Sequence, residues 1–211
     1  MDTGNETIKF YYDFKSPFTY LALGPALALE RSHRVTLRFI PRDFEPRVAY
    51  GGELEQRQPH DWNKVRYLYE DVRRFANERG MIIRGPQKLF DSRLAMMSGI
   101  YADRHGGFRE YAPRVFERFF KRELDIEDPA AIAAVLRECS LHAEEFARYA
   151  ASDGPGDLEL ARAEADSDRV FGVPTIIVGG EPFWGNDRID WVIKKLDAMG
   201  LRRDSAGLAS K

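Results

Sequence analysis

The segment YYDFKSPFTYLALGPALALE, residues 11–30, carries an extended aromatic run through Ser16 and Pro17 into an apolar helical pattern. Serine is a favoured N-cap because its oxygen accepts an amide hydrogen that the first turn leaves unpaired. Proline suits the first helical position. The same helix end also favours an anion, through its free N–H groups and the positive pole of the dipole. Ser16 is therefore either a cap, or a cap that also holds an anion. The helix dipole contributes up to ~2 kcal/mol and a hydrogen bond to a charged group about 1.5–3 kcal/mol. At about 1.4 kcal/mol per pH unit, such a site can lower the pKa of a bound acid by about two units. Lys15 precedes Ser16. It is a solvated side chain by default, and favours an anion if it turns into a cleft. Phe18 and Tyr20 read as core or cleft wall.

Two later stretches carry polar groups at turns. In FGVPTIIV, Pro174 opens an apolar run, and only about 5–6% of X–Pro bonds in folded proteins are cis, so a trans strand-starting proline is the ordinary expectation. In WGNDRID, Asn186 or Asp187 can cap a final helix, with Gly185 allowing the turn. Trp184 stands beside them, where it can line a cleft. Other chemistry lacks a pattern. The four histidines are scattered without metal-ligand spacing, so no metal site is assigned. Cys139 is the single cysteine, which rules out an internal disulfide or a dithiol pair; it reads as a packing residue. There is no Gly-x-Ser-x-Gly elbow and no phosphate loop.

The elements that must position these residues follow from periodicity. The chain has 211 residues, 44% hydrophobic and 31% charged, with a net charge of −2. That suits one α/β domain with an insertion, and gives no basic field for nucleic acid. No apolar run is long enough for a bilayer, and the N-terminus lacks a signal-peptide pattern, so a cytoplasmic protein with no membrane partner is expected. TIKFYYDF and RVTLRFIP read as strands flanking a helix from Pro17 to about Arg31, which suggests a parallel pair. Helical spacing follows over Trp62–Gly80, Phe108–Phe119, Pro129–Leu136, 141–151 and 156–168. The whole middle, roughly 60–170, reads as helical, with no individual helix singled out within 81–107. PTIIV and EPFW flank Gly179-Gly180, a hairpin signal, and Pro182 puts its strand at an edge. Ile189, Val192, Ile193 and Leu196 mark a last helix. Neither end has enough strands alone, so both must join one sheet. The expected division is 1–58 with 170–201 as the α/β domain, 59–169 as a helical insertion, and 202–211 as a loose tail.

YYDFKSPFTYLAL together with FGVPTIIVGGEPFWGNDRID resembles the 2-hydroxychromene-2-carboxylate isomerases and kappa-class glutathione transferases, of the DsbA-like thioredoxin-fold superfamily. The resemblance implies an α/β thioredoxin-like domain with a large all-helical insertion. Redox relatives open their first helix with Cys-x-x-Cys, where this chain has Ser16, Pro17, Phe18 and Thr19. The implied activity is an isomerase that uses glutathione as cofactor, with its thiolate adding reversibly to a conjugated aromatic substrate. The implied roles are Ser16 at the sulfur, Val173 and a cis Pro174 aligning the peptide, and Asn186 and Asp187 at its γ-glutamyl end. Lys15, Phe18 and Trp184 would face the substrate. A homodimer is usual in the family. The alternatives are a transferase or peroxidase that consumes glutathione, and a degenerate thioredoxin-fold binding protein. In one respect the chain departs from the family, which often has an asparagine in a Gly-Asn-x-Pro-Pro-like loop that helps to hold glutathione. This chain reads GGELEQRQPHDW there, with Gln56, Arg57 and Gln58 as the polar residues available.

Overall fold

The computed structural model describes residues 4–43 and 57–203. Four strands form one sheet: β1 (Glu6–Tyr12), β2 (Val35–Pro41), β3 (Thr175–Val178) and β4 (Glu181–Trp184), in the order β2-β1-β3-β4. β1 and β2 run parallel, with Ile8 beside Leu37, and α1 (Pro17–Ser32) makes the crossover that a parallel pair requires. β3 is antiparallel to β1, with Phe10 beside Ile176, and β4 is antiparallel to β3. The two ends of the chain thus meet at β1, as expected. Gly179 (φ 56°) and Gly180 (φ 80°) make the β3–β4 turn, both in the left-handed region that a tight two-residue hairpin needs. Pro182 lies in edge strand β4, where its missing N–H costs no ladder bond.

The period of two in β1 sorts its side chains between two faces. Ile8, Phe10 and Tyr12 enter the main core, while Tyr11 joins Ile40, Val173 and Ile177 on the opposite face. Between β2 and β3 lie α2 (Pro59–Glu78), α3 (Arg93–Arg104), α4 (Phe108–Phe120), α5 (Pro129–Glu138), α6 (Ala143–Ala151) and α7 (Gly154–Ser167). A 3₁₀ turn over Asn186–Arg188 leads into α8 (Ile189–Ala198). The insertion shares its core with the sheet. Tyr12 meets Phe108 at 5.1 Å, Phe14 meets Phe116 at 4.8 Å, and Phe39 stacks on Phe108 at 4.1 Å between ring centres. Among the described residues no helix is long and apolar enough to cross a membrane.

Within the helical middle, α3 is the helix that local spacing does not single out. Its sequence, RLAMMSGIYADR, holds Ser98 and Gly99 mid-helix, both weak formers. Packing overrides propensity: Ala95, Met96, Tyr101 and Ala102 are buried. Gly99 is needed because a Cβ there would lie 2.2 Å from the Tyr12 hydroxyl oxygen. One correction concerns the expected tail. The Arg203 amide donates to the Ser32 carbonyl at 2.9 Å, and Arg202 bridges to His33 and to Asp197, so 202 and 203 are tied to the domain. Residues 204–211 lie outside the described part.

A charged cluster fixes the approach to the β3 end of the sheet. Lys9 reaches Asp168 at 2.6 Å and Glu164 at 2.9 Å, Arg38 grips Glu164 with two bonds, and the Tyr11 hydroxyl donates to Asp168 at 2.6 Å. Burial opposes ionisation of Asp168, but Lys9 and Tyr11 outweigh it and hold the carboxyl below its ordinary range. The C-terminal end of α7 is thereby pinned to β1 and β2, five residues before Val173.

Candidate functional site

The link from β1 to α1 is a tight turn set by Asp13. Its carbonyl accepts the Ser16 amide at 3.0 Å, and its buried carboxylate accepts the Lys15 amide at 2.9 Å. Ser16 then takes an extended conformation (φ −87°, ψ 113°) as the N-cap of α1. Its Oγ accepts the Thr19 amide at 3.1 Å and donates to the Val173 carbonyl at 3.4 Å. The cap is realised, and the same hydroxyl faces the segment before β3. Pro17 has no amide hydrogen, Thr19 is taken by Oγ, and Tyr20 donates to the Ser16 carbonyl. Among the described residues the Phe18 amide is the first-turn donor left over.

The Val173–Pro174 bond is cis, as the resemblance implies and against the base rate. The Pro174 carbonyl accepts the Gly185 amide at 2.9 Å, and the Thr175 hydroxyl donates to Gly172 at 2.6 Å. No described group accepts the Val173 amide.

Ser16, Phe18 and Val173 form one end of a cavity of about 620 Å³, within the range of a small-ligand site. Its far wall is the apolar face of α2 with Trp62, Val65 and Leu68, closed by Phe90 and Phe119. Phe171 and Trp184 stand at the rim, edge to face at 4.8 Å, and both are exposed. Gly172 permits this, since a Cβ would come 2.7 Å from the Trp184 indole nitrogen. Lys15 also lines the cavity, but it is not the solvated side chain of the default reading. Its ammonium is 2.9 Å from Asp43 and 3.6 Å from Asp13, with the side chain 11% exposed.

Asn186 and Asp187 do not line this cavity. Asn186 is buried, and among the described residues its side-chain amide nitrogen has no hydrogen-bond partner. Asp187 is exposed and paired with Arg188 at 2.7 Å. The turn is fixed by Gly185 (φ 117°, ψ 155°), a conformation reserved for glycine. Cys139, at the end of α5, is buried, and burial pushes its thiol up. Among the described residues no three His, Cys, Asp or Glu side chains gather as a metal-ligand group.

Of the polar residues in the variant loop, Gln56 lies outside the described residues. Gln58 begins α2 and donates its amide to Asp61 at 3.1 Å, while Arg57 lines the cavity. Trp62, which opens the helical spacing expected up to Gly80, forms cavity wall and is 37% exposed. The α2 stripe that it begins was legible; what the stripe faces was not. Asp13 was missed altogether, since a lone Asp after a strand reads as a turn residue.

Known proteins supply context for this geometry. The chain is 27% identical to the 2-hydroxychromene-2-carboxylate isomerase of Sphingobium xenophagum over 192 residues, 89% of this chain and 96% of that protein. It is 27% identical to the enzyme of that name from Pseudomonas putida over 205 residues, covering 96% and 99%. The solved structure of a 2-hydroxychromene-2-carboxylate isomerase superposes with a TM-score of 0.78 at 26% identity, covering 97% of this chain and 100% of that one. The family model of the DSBA-like thioredoxin domain matches residues 7–197. With a mixed four-stranded sheet, a helical insertion between β2 and β3, and a helix start packed against the segment before β3, the chain belongs to the DSBA-like thioredoxin domain family.

Proposed function

We propose that the protein is a glutathione-dependent isomerase, similar to 2-hydroxychromene-2-carboxylate isomerase, acting on a conjugated aromatic compound. One observation carries this. At the start of α1, on the wall of an apolar cavity, stands a serine hydroxyl facing the Val173 carbonyl, while the chain's single cysteine closes α5. A protein that shuttles disulfides needs a thiol at the helix start; this one offers groups that hold a thiol from elsewhere.

The chain's own groups fit a small thiol peptide. When bound, glutathione would supply the thiolate that adds reversibly to a conjugated carbon. Ser16 donates its hydroxyl hydrogen to that sulfur, giving up only a long 3.4 Å bond to Val173. The Phe18 amide and the α1 dipole favour the charged form. Val173 presents an amide and a carbonyl to pair with an extended peptide as an added strand. The buried Asn186 amide, unpartnered among the described residues, is a donor awaiting an acceptor, which a peptide carboxylate satisfies. Asp187 accepts from an ammonium by exchanging its exposed partner Arg188. The apolar cavity excludes water around the substrate.

The test is 2-hydroxychromene-2-carboxylate interconversion with limiting glutathione, alongside calorimetric titration of glutathione alone. Many turnovers per glutathione, with the thiol recovered, are expected. Equimolar loss would instead make it a transferase. No binding heat and no rate dependence on glutathione would end the proposal.

A further inference from the structure

Three described cations line the cavity, and their pairing separates them. Lys15 is neutralised by Asp43 and Asp13. Lys88 is held by Glu127 and by Asp125 at 3.5 Å. Arg57 has no carboxylate partner among the described residues. Its guanidinium lies over the Trp62 ring, 5.4 Å from the centroid, and its Nε is buried with no acceptor among those residues. A buried donor on a fixed cation costs stability unless an anion meets it. The cation–π contact offsets part of that cost and holds the guanidinium plane, but it accepts no hydrogen bond.

We propose that Arg57 binds the carboxylate of the aromatic substrate, so that the cavity selects planar aromatic anions over neutral analogues. The inference rests on the cavity being the substrate chamber of the enzyme proposed above. A guanidinium fork matches a carboxylate with two parallel bonds, and the neighbouring wall of Trp62, Val65 and Leu68 suits the ring system attached to it. Glutathione also carries carboxylates. Its polar backbone, however, matches the Val173 edge and the Asn186 turn rather than this apolar wall. Lys15 and Lys88 already have their anions, so the ligand's charge falls to Arg57.

The probes are 1-naphthoate and 1-naphthamide, equal in shape and different in charge, with binding read from tryptophan fluorescence. The native protein should prefer the anion by about tenfold or more, the value of one charged hydrogen bond. Arg57→Gln should abolish that preference, leave naphthamide affinity unchanged and leave glutathione affinity unchanged. Lys88→Gln should keep the preference. Three results would overturn the assignment: no anion preference in the native protein, a preference that survives Arg57→Gln, or one that is lost in Lys88→Gln. Loss of glutathione binding in Arg57→Gln with the naphthoate preference intact would move the residue to the peptide and also overturn it. Should glutathione bind to no form while the naphthoate preference still depends on Arg57, the thiol mechanism falls and this carboxylate site stands.

Discussion

Removing the Ser16 hydroxyl separates its two roles. Oγ caps α1 through Thr19 at 3.1 Å and points its hydrogen at Val173 across 3.4 Å. The bond lost to a bound thiolate is a hydrogen bond to a charged group, about 1.5–3 kcal/mol. Divided by about 1.4 kcal/mol per pH unit, that raises the thiolate midpoint by roughly one to two units. Loss of the cap costs about 1 kcal/mol in Ser16→Ala but only about a few tenths in Ser16→Gly. For a chain of this size, the first should lower the thermal midpoint by about 2–4 °C. The second should hardly lower it. Absorbance of bound glutathione near the thiolate band, followed against pH in both variants, gives the midpoint directly. Both variants should show the same upward move although their stabilities differ. If glutathione still binds and the midpoint stays where the native protein has it, Ser16 is a cap and nothing more.

Three further substitutions test the frame around the site. Gly99→Ala puts a methyl 2.2 Å from the buried Tyr12 oxygen and should cost about 1–3 kcal/mol in urea unfolding. Gly185→Ala forces φ 117° on a residue with a Cβ and sets that carbon 2.6 Å from Asp187 Oδ1. A strain of about 1–3 kcal/mol should appear as a lower thermal midpoint and as weaker glutathione binding. The Arg202 guanidinium, helped by His33, holds Asp197 down at about 2. A carboxyl depressed in the fold stabilises above its unfolded value near 3.9 and loses that contribution as pH falls towards 2. Asp197→Asn should therefore be less stable than the native protein above about pH 4, with the two curves converging near pH 2.

Local chemistry made much of the fold legible. The β-branched and aromatic run in 7–12, the two-residue alternation in 35–40, the Ser16-Pro17 and Asp128-Pro129 helix starts, the Gly179-Gly180 hairpin and the edge proline Pro182 each follow from local rules acting over a few residues. α3 was legible only as part of a helical middle and not as a separate helix, because Ser98 and Gly99 argue against a helix locally. Only the approach of Tyr12 and the burial of Met96 and Tyr101 justify it. The charges around the site were opaque for the same reason. Whether Lys15 and Lys88 are neutralised depends on Asp43, Asp13, Glu127 and Asp125, most of them far along the chain. The same distance left Arg57 as one candidate among three in a polar loop.

The sequence by itself determined a capped, anion-favouring helix start at Ser16, the lack of a second cysteine, and a sheet assembled from both ends of the chain. These depend on side-chain chemistry and on contacts a few residues apart. Tertiary structure decided that Ser16 faces Val173, that the α2 stripe walls an apolar cavity, and that Arg57 lines it over Trp62 with no carboxylate partner among the described residues. Those are meetings of segments more than a hundred, or several tens, of residues apart in the chain, and only packing brings them together.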